Sequence, residues 1–395
     1  MIVAGVMSGT SADGIDVSFV HIRGGGRTLR LSLLAHEHSR YPNSVRETVL
    51  AAMNAEAVRV ADLARLNFLL GELYSIAVQS AIKRHRIKLD LVGCHGQTLY
   101  HQGTALRFLG RQIATTWQTG EGSIIAARLG IPVVSDFRPA DMAAGGNGAP
   151  LVPLLDIAYY AHRGKLRVLQ NLGGIANLTL IPPGTHLGKV EQVVAFDTGP
   201  GNMVIDACAQ SLLGKAYDAN GATAAKGKVI QAALANALQH PFFRRRPPKS
   251  TGREEFGREF VAQFLRWCGA RAKKTDVLAT ATALTAVSIG QAMRRALRSN
   301  AISESLARGR AEYIVSGGGV RNRTLMCMIS EQVQPLGFRI LTSDDLGLPS
   351  EAKEAAAFAL LAYQTWHRKP GNVPSATGAH RATVLGKISY PLSIT

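Results

Sequence analysis

Residues 2–17 read Ile-Val-Ala-Gly-Val-Met-Ser-Gly-Thr-Ser-Ala-Asp-Gly-Ile-Asp-Val, and this segment is the most informative one in the chain. Two apolar runs flank a polar turn of Gly, Ser, Thr and Asp, which predicts two strands joined by a tight hairpin. Backbone N–H groups and hydroxyls in such a turn form a nest that holds a phosphate chain. A carboxylate beside it, Asp13 or Asp16, is a candidate ligand for an accompanying Mg²⁺. The alternative is an ordinary turn, because Gly and Asp favour turns anyway.

The composition predicts two domains. With 395 residues, of which 46% are hydrophobic and 18% charged, the chain is long enough for two well-developed cores. Met1 leads directly into a strand without a basic segment before it, so we expect no signal peptide. Hydroxyl side chains interrupt the longest apolar stretch, Val277–Met293, which favours a buried helix over a membrane span. Four widely separated cysteines favour a reducing cytoplasm and no structural zinc.

The formal net charge of +18 raises the possibility of a nucleic-acid partner. The Lys and Arg residues are scattered, however, and the only dense basic block is 244–246. No motif for nucleic-acid binding accompanies them. The pattern therefore favours a generally basic surface with a phosphate-binding cleft over nucleic-acid binding.

Polar residues follow two short apolar strands in the first half, predicted over Leu89–Cys94 and Ile131–Val134. Ligands of α/β folds bind where strands end, so we take as candidates His95, Gln97, Thr98, Asp136 and Arg138. The neutral His and Gln side chains suit sugar hydroxyls, and Arg138 can bind a carboxylate bidentately. The alternatives are a structural histidine and an ion pair of Arg138 with Asp136 or Asp141.

The second half repeats this plan. Strands are predicted over 166–169, 193–196 and 313–315, each running into a turn that contains glycine, and the candidate residues there are Asn171, Gly173, Gly174, Asp197, Gly317, Gly318 and Gly319. Asp197 follows its strand directly, and Thr198 or Asn202 can cap the next helix, which leaves Asp197 for general-base catalysis. A turn or capping role is the alternative. Glu354 starts or lines a helix, where surface exposure is the ordinary expectation.

Several blocks resemble the anhydro-N-acetylmuramic acid kinase family. The hairpin 5–16 looks like the family signature, and further matching blocks follow in order over almost the whole chain, at 94–98, 136–138 with 145–153, 171–178, 196–203, 247–254, 315–322 and 375–379. The resemblance implies a two-domain α/β fold of the actin/Hsp70/sugar-kinase (ribonuclease H-like) class, with a mixed five-stranded sheet in each domain and ATP in the cleft between them. We expect residues 1–131 and about 372–395 to form domain I, and residues 132–371 to form domain II.

The resemblance also implies a reaction. Water adds to C1 of 1,6-anhydro-N-acetylmuramic acid, a product of cell-wall turnover, and O6 takes the γ-phosphate of ATP as the anhydro bridge opens. Asp197 is implied as the base that activates the water, and Glu354 as the residue that orients it. The implied sugar-binding residues are His95, Gln97, Thr98, Asp136 and Arg138. The implied ATP-binding residues are Gly9, Thr10, Ser11, Ala12, Asp13, Gly14, Ile15, Asp16, Asn171, Gly173, Gly174, Gly317, Gly318 and Gly319, with Mg²⁺ at Asp13 and Asp16.

We expect a cytoplasmic protein without a nucleic-acid or membrane partner, and the resemblance suggests a homodimer. Two blocks depart from the family pattern. Residues 118–121 read Gln-Thr-Gly-Glu where members commonly carry Gln-x-Gly-Asp. The segment 217–221 keeps Tyr217 and Asp218 but has atypical neighbours, and we expect both departures to leave the phosphate sites intact and to bear on the details of the sugar contacts. Two alternatives stay open, namely a plain amino-sugar kinase of the same fold and a non-catalytic, actin-like nucleotide-binding protein.

Overall fold

The computed structural model describes residues 1–9, 12–53, 55, 57–297 and 309–391. In these residues the strands are β1 (Ile2–Ser8), β2 (Gly14–Arg23), β3 (Arg30–Arg40), β4 (Leu91–Phe108), β5 (Arg111–Thr119), β6 (Val133–Ser135), β7 (Leu166–Leu172), β8 (Ile175–Ile181), β9 (Val194–Pro200), β10 (Ala311–Ser316), β11 (Arg339–Thr342) and β12 (Lys387–Ser389). The α-helices in the same residues are α1 (Asn43–Met53), α2 (Val60–His85), α3 (Gly122–Leu129), α4 (Phe137–Ala143), α5 (Pro153–Tyr160), α6 (Met203–Leu213), α7 (Gln231–Leu238), α8 (Arg253–Phe256), α9 (Arg258–Cys268), α10 (Lys274–Ala296), α11 (Arg323–Val333), α12 (Lys353–Trp366) and α13 (Pro374–Thr377).

The first sheet is built on the predicted hairpin. β1 pairs antiparallel with β2 and parallel with β4, and β2 pairs antiparallel with β3. Among the described residues this sheet has seven strands in the order β12-β6-β4-β1-β2-β3, with β5 paired to β4. Alternate apolar residues of β1, including Ala4 and Val6, pack against the apolar stripe of α2, including Leu70 and Tyr74.

The opposite face of this sheet carries α12 at very short range. Gly5 of β1 and Gly93 of β4 alternate with the core residues and therefore point toward this helix. A Cβ atom at Gly5 would lie 1.7 Å from the carbonyl oxygen of Ala355, and one at Gly93 would lie 2.2 Å from that of Phe358. The absence of side chains at these two positions lets the helix backbone rest on the strands. That contact places the first turn of α12, with Glu354, beside the sheet.

The second sheet has five strands among the described residues, in the order β11-β10-β7-β8-β9. β10 is parallel to β7 and β11, whereas β8 is antiparallel to both of its neighbours. Its core includes α6, α10 and α11, with Leu278, Leu284 and Ile289 of α10 fully buried. Both sheets combine parallel and antiparallel pairs and are flanked by helices, so the expected α/β class is confirmed.

Helix α10 confirms the expectation of a buried helix over Val277–Met293. Its buried hydroxyls bond to carbonyl oxygens: Thr282 to Leu278 at 2.8 Å, and Thr285 to Gly201 at 2.8 Å. These bonds satisfy polar groups that would otherwise be costly to bury. Nowhere in the described part of the chain is a helix both long enough and apolar enough to cross a bilayer.

Several sequence expectations about strands are wrong in detail. The strand expected to end at Cys94 continues through His95, Gln97 and Thr98 to Phe108, because β5 pairs with this extension. The extension is largely exposed, so it lacks the apolar run by which a buried strand is recognised. β7 and β9 are also longer than expected and include Asn171 and Asp197. The first sheet is not five-stranded as expected, because β5 and β12 add to it.

Residue contacts divide the chain into two compact units. The first unit comprises Met1–Tyr160, His186–Glu191 and Glu351–Thr395, and the second comprises Ala161–Thr185 and Gln192–Ser350. These bounds differ from the expected boundaries near residues 131 and 372. The physical reason is that β6 pairs with β4, while α12 packs on β1, so both elements belong with the first sheet.

Replacing Gly93 with alanine is expected to destabilise the protein, because the new Cβ would force α12 away from the sheet. Overpacking of this kind costs about 1–3 kcal/mol. Gly25→Ala is the matched control, since a Cβ at Gly25 would meet nothing within 4 Å. Thermal unfolding followed by circular dichroism should show a lower midpoint for Gly93→Ala only. Equal midpoints for the two variants would contradict the packing described here.

Candidate active site

The polar turn between β1 and β2 has the backbone form of a nest. The N–H of Ala12 donates to the carbonyl oxygen of Gly9 at 3.1 Å, and Ala12 has a positive φ of 49°. Ala12 and Ile15 are buried, so only their backbone groups are suited to contact a ligand, whereas Asp13 is exposed. The predicted residues Thr10 and Ser11 lie outside the described residues.

A buried network of hydrogen bonds supports this turn from behind. The Gln97 Nε2 donates to the carbonyl oxygen of Gly9 at 3.1 Å, and its Oε1 accepts from Ser8 Oγ at 2.6 Å. The Tyr41 hydroxyl donates to Ser8 Oγ at 2.9 Å and lies 3.1 Å from the Tyr74 hydroxyl. Burial raises the pKa of Tyr41 to about 12, so its hydroxyl keeps its proton. Gln97 is fully buried and holds the turn in place.

His95 and Arg138 form a polar pair in the first unit. The Arg138 Nε donates to His95 Nε2 at 3.0 Å, and its Nη1 donates to the carbonyl oxygen of Gly148 at 2.8 Å. Because arginine only donates, His95 Nε2 is unprotonated, and Nδ1 carries the proton that bonds Gly96 O at 2.8 Å. Burial and the Arg138 charge hold the pKa of His95 well below its usual value. The imidazole is therefore neutral.

Glu354 lies in the electrostatic neighbourhood of Arg138. Burial lowers the pKa of Arg138 to about 10, and the charge of Glu354 opposes that shift. Desolvation by the surrounding protein raises the pKa of Glu354, although part of the residue is exposed. The charge of Arg138 lowers this pKa, and the charge of Asp16 raises it. The phosphate-nest strand and the Arg138 pair therefore meet at one region of the first unit.

The remaining first-half candidates have structural partners. Asp136 Oδ2 pairs with Lys387 Nζ at 2.8 Å, and Thr98 Oγ1 accepts from Gln118 Nε2 at 3.3 Å. Asp141 is buried, accepting the N–H of Gly148 at 2.8 Å and hydrogen bonds from two further side chains, Asn372 and Thr377. Arg138 makes no ion pair within the described part of the chain, so the ion-pair alternative does not hold there.

The expected metal ligands differ in their surroundings. Asp16 Oδ1 lies 3.1 Å from His36 Nε2 and 3.1 Å from His38 Nδ1, whereas Asp13 is exposed on the turn. Within the described residues no group of three or more His, Cys, Asp or Glu side chains is able to hold a metal. Mg²⁺ in kinases is usually bound by one or two carboxylates plus substrate phosphates and water, and the oxygen donors present fit that mode.

Two glycine-rich turns of the second unit lie against each other. A Cβ at Gly317, whose φ is +88°, would lie 2.7 Å from Asn171 Oδ1, and one at Gly319 would lie 2.6 Å from the Cβ of Leu172. A third turn joins them, because the Asn202 N–H donates to the carbonyl oxygen of Gly173 at 2.8 Å. Gly174 and Gly318 belong to the same turns, so the predicted residues of the second half come together. A Cβ at Gly318 would meet nothing within 4 Å, so the backbone there is open to the close approach of a ligand.

A row of polar residues crosses the second sheet. Ser316 of β10 is opposite Asn171 of β7, Asn171 is opposite Asn177 of β8, and Asn177 is opposite Asp197 of β9. Residues opposite one another in a sheet share a face, and neighbouring strands are about 4.8 Å apart. The Ser316 hydroxyl is buried and has no hydrogen-bond partner among the described residues. Sequence reasoning missed Ser316 and Asn177, because only the strand register shows that they lie in one row with Asn171 and Asp197.

Asp197 lies inside β9 and is partly buried. Its Oδ2 accepts the Thr251 N–H at 2.8 Å, and its own N–H donates to the carbonyl oxygen of Lys249 at 3.0 Å. Burial raises its pKa to about 7, and this rise is opposed by the Thr251 hydrogen bond and the Lys249 charge. Asn202, not Asp197, occupies the N-cap position of α6. The capping alternative therefore fails, and the carboxylate is poised to exchange a proton near neutral pH.

The segment 249–251 is a second feature that sequence reasoning missed. It lies in one of the blocks that resemble the family, 247–254, but the sequence assigns it no contact with Asp197. Contacts from Lys249 and Thr251 are the ones that hold Asp197 in place. No spacing in the sequence indicates that a loop more than 50 residues later meets this strand, since the tertiary fold alone brings them together.

Comparison with known proteins gives one consistent result. The sequence model described as anhydro-N-acetylmuramic acid kinase matches residues 1–391. The anhydro-N-acetylmuramic acid kinase of Bacillus cereus strain G9842 is 43% identical over 394 residues, covering 99% of this chain and 100% of the relative. The protein of the same name from strain AH187 has the same identity and coverage.

Among solved structures, a xylulose kinase from Rhodospirillum rubrum aligns with a TM-score of 0.44 and 11% identity, covering 99% of this chain and 94% of that one. A likeness at this level indicates nothing about activity. The family match and the curated relatives instead span nearly the full length of the chain at substantial identity. The chain belongs to the anhydro-N-acetylmuramic acid kinase family.

Proposed function

We propose that Asp197 is the general base of the family's reaction in this protein. Membership of the family gives the chain the ATP-dependent phosphorylation of 1,6-anhydro-N-acetylmuramic acid, a step of peptidoglycan recycling, and the actin/Hsp70/sugar-kinase-like fold class. The observation that carries the proposal is a partly buried carboxylate, held by a backbone N–H, whose pKa is about 7. Such a pKa suits a base that works near neutral pH.

In the proposed step the Asp197 carboxylate accepts a proton from water. The water oxygen forms a bond to C1 of the sugar while the bond from C1 to O6 breaks. O6 then carries the electron pair of the broken bond and attacks the γ-phosphorus of ATP, and ADP leaves. The product keeps both the added water and the phosphate. A plain amino-sugar kinase adds phosphate alone and has no need of a base for hydrolytic water.

For ATP we propose two sets of backbone donors. The first is the turn between β1 and β2, Gly9 to Asp16, held from behind by Gln97. The second comprises Asn171, Gly173, Gly174 and Gly317 to Gly319, beside the Ser316 hydroxyl, which has no hydrogen-bond partner in the described part of the chain. Backbone N–H groups in a glycine-rich turn, next to a buried hydroxyl, are suited to bind a phosphorylated ribose. Whether ATP lies in a cleft between two domains stays a prediction.

We propose that Mg²⁺ enters with ATP and is held by Asp13, with Asp16 as a second candidate through its Oδ2. Asp13 is exposed on the turn, while Asp16 Oδ1 is engaged by His36 and His38. When bound, the ion supplies charge neutralisation at the transferring phosphate. The residues of this chain would supply carboxylate oxygens, the ligand type that Mg²⁺ prefers.

For the sugar we propose Arg138 as the partner of the lactyl carboxylate. A partly buried guanidinium without an ion pair among the described residues is suited to an anionic substrate group. Neutral His95 fixes the orientation of Arg138 through the bond at 3.0 Å. Glu354 is proposed to orient the reacting groups, and the support for this is its raised pKa and its electrostatic interaction with Arg138. Gln97, Thr98 and Asp136 as sugar-binding residues stay predictions.

We also propose that the protein works as a homodimer in the cytoplasm. Exposed apolar side chains on the β4–β5 hairpin, including Phe108 and Leu109, support self-association. The free, exposed Cys327 supports a reducing compartment. Light scattering of the purified chain tests the first point: a mass twice the 42.1 kDa of one chain is expected, and a monomer contradicts it.

Asp197→Asn is expected to lower kcat by about 10²–10⁴-fold, because asparagine keeps an oxygen for the Thr251 N–H but cannot take the proton. Asp276→Asn is the matched control, since Asp276 likewise accepts a backbone N–H at 2.8 Å, from Lys228. Product formed in ¹⁸O-water is measured by mass spectrometry, with label at C1 and one added phosphate expected. Unlabelled product would favour the plain kinase, and unchanged turnover in Asp197→Asn would remove Asp197 as the base.

The pH dependence of kcat/KM should follow the ionisation of Asp197. The base works only when deprotonated, so the rate should rise with pH up to about 7 and level off above it. Lys249→Met removes a charge that lowers this pKa, so its profile should move to higher pH. Lys228→Met is the control, because Lys228 is not among the charges that shift Asp197. A profile that is flat between pH 5.5 and 8 would contradict the assignment.

Arg138→Ala is expected to raise KM for the anhydro sugar about tenfold or more while changing KM for ATP little, because it removes a charge-assisted bond to a carboxylate. Arg128→Ala is the control, since Arg128 is an exposed residue paired with Glu72. Steady-state kinetics with each substrate varied in turn give the two values. Equal changes in both KM values would show that Arg138 is not the carboxylate partner.

A further inference from the structure

An open pocket with a volume of about 130 Å³ lies beside β9. Phe196 and Thr198 of β9 line it, and because side chains alternate along a strand, Asp197 between them points to the other face. Phe243, from the segment before α8, and Ala292 of α10 also line it. The glycine-rich turns and Asp197 are not among the residues that line it. The pocket is therefore separate from the site described above.

The described residues lining this pocket include no acidic residue but three basic ones, Arg245, Lys249 and Arg295. Lys249 Nζ donates to the carbonyl oxygen of Phe242 at 3.1 Å and lies 4.1 Å from the centroid of that ring. Arg295 Nη1 donates to the carbonyl oxygen of Phe243. Neutral carbonyl oxygens satisfy these donors without balancing their charge. Of the three, only Arg245 forms an ion pair within the described residues, with Glu255.

The positive charges of Arg245 and Arg295 repel the positive charge of Lys249. Burial, together with the charges of Arg295 and Arg245, lowers the pKa of Lys249 to about 8, and the charges of Asp197 and Glu255 oppose this shift. An anion in the pocket would relieve this repulsion. The planar donor set of arginine matches the oxygens of a phosphate group. The apolar wall formed by Phe196, Phe243 and Ala292 suits the organic part of a phosphate ester.

We propose that this pocket binds a phosphate group, either as inorganic phosphate or as a phosphate monoester. Arg295 and Lys249 supply the positive charge, and the aromatic wall receives the ester substituent. The site lies on the opposite face of β9 from the general base. Its existence does not depend on the proposed catalytic role of Asp197, because Asp197 does not line the pocket and only Lys249 among the lining charges interacts with it.

The test measures binding of ³²P-labelled inorganic phosphate to the full chain by equilibrium dialysis. A saturating, non-hydrolysable ATP analogue occupies the nucleotide site, so that only other sites are counted. Arg295→Gln removes one pocket charge, and Ala296→Trp fills the pocket without removing charge. Arg294→Gln is the matched control, because Arg294 is the neighbouring residue on α10 and does not line the pocket. Lys249 is left intact, since its side-chain charge lowers the pKa of Asp197, so that a substitution there would also change the proposed catalytic base.

We expect one phosphate per chain, bound about tenfold or more weakly by Arg295→Gln. Binding should be lost in Ala296→Trp and unchanged in Arg294→Gln. Competition with phenyl phosphate distinguishes the sources, since tighter binding than that of inorganic phosphate indicates a monoester site and equal binding indicates a site for the free ion. No binding beyond the nucleotide site, or the same affinity in all the variants, would overturn the proposal. Kinase activity is assayed separately, so an inactive protein that still binds phosphate counts only against the proposed function.

Discussion

The contact between α12 and the first sheet is the constraint on which the first unit depends. Gly5 and Gly93 let the carbonyl oxygens of Ala355 and Phe358 approach the strands to distances that any side chain would block. The ring of Phe358 then lies 4.5 Å from the His95 ring, whose Nε2 orients Arg138. The same helix carries Glu354 in its first turn. One backbone contact therefore sets the positions of the groups proposed to meet the sugar.

In the second unit the comparable constraint is the register of four strands. It aligns Ser316, Asn171, Asn177 and Asp197 on one face of the sheet, while the other face packs on α10. Burial raises the pKa of Asp197 more than the Thr251 N–H and the Lys249 charge lower it. The balance of these effects, rather than any one of them, yields a carboxyl group that changes its protonation near neutral pH.

The structure separates charges that stabilise the fold from charges that are available to ligands. Lys353 and Asp156 form a buried pair at 2.8 Å, with side chains only 6% and 4% exposed, and Glu312 is paired with both Lys165 and Arg167. Buried charges that support the fold are expected to be paired in this way. Arg138 and Arg295, in contrast, bond only to neutral groups within the described residues. Unpaired cations of this kind indicate positions where an anion from outside completes the site.

The sequence by itself determined the α/β class, the hairpin at residues 5–16, the glycine-rich turns and the family, because these features are written in local patterns of apolar runs, glycines and ordered motifs. It also singled out Asp197 and Arg138 by their places after apolar strands. The tertiary structure alone decided that β4 extends to Phe108, that β6 and α12 belong to the first unit, and that Thr251 holds Asp197. These features depend on contacts between residues far apart in the chain, and a pKa depends on burial that only such contacts create.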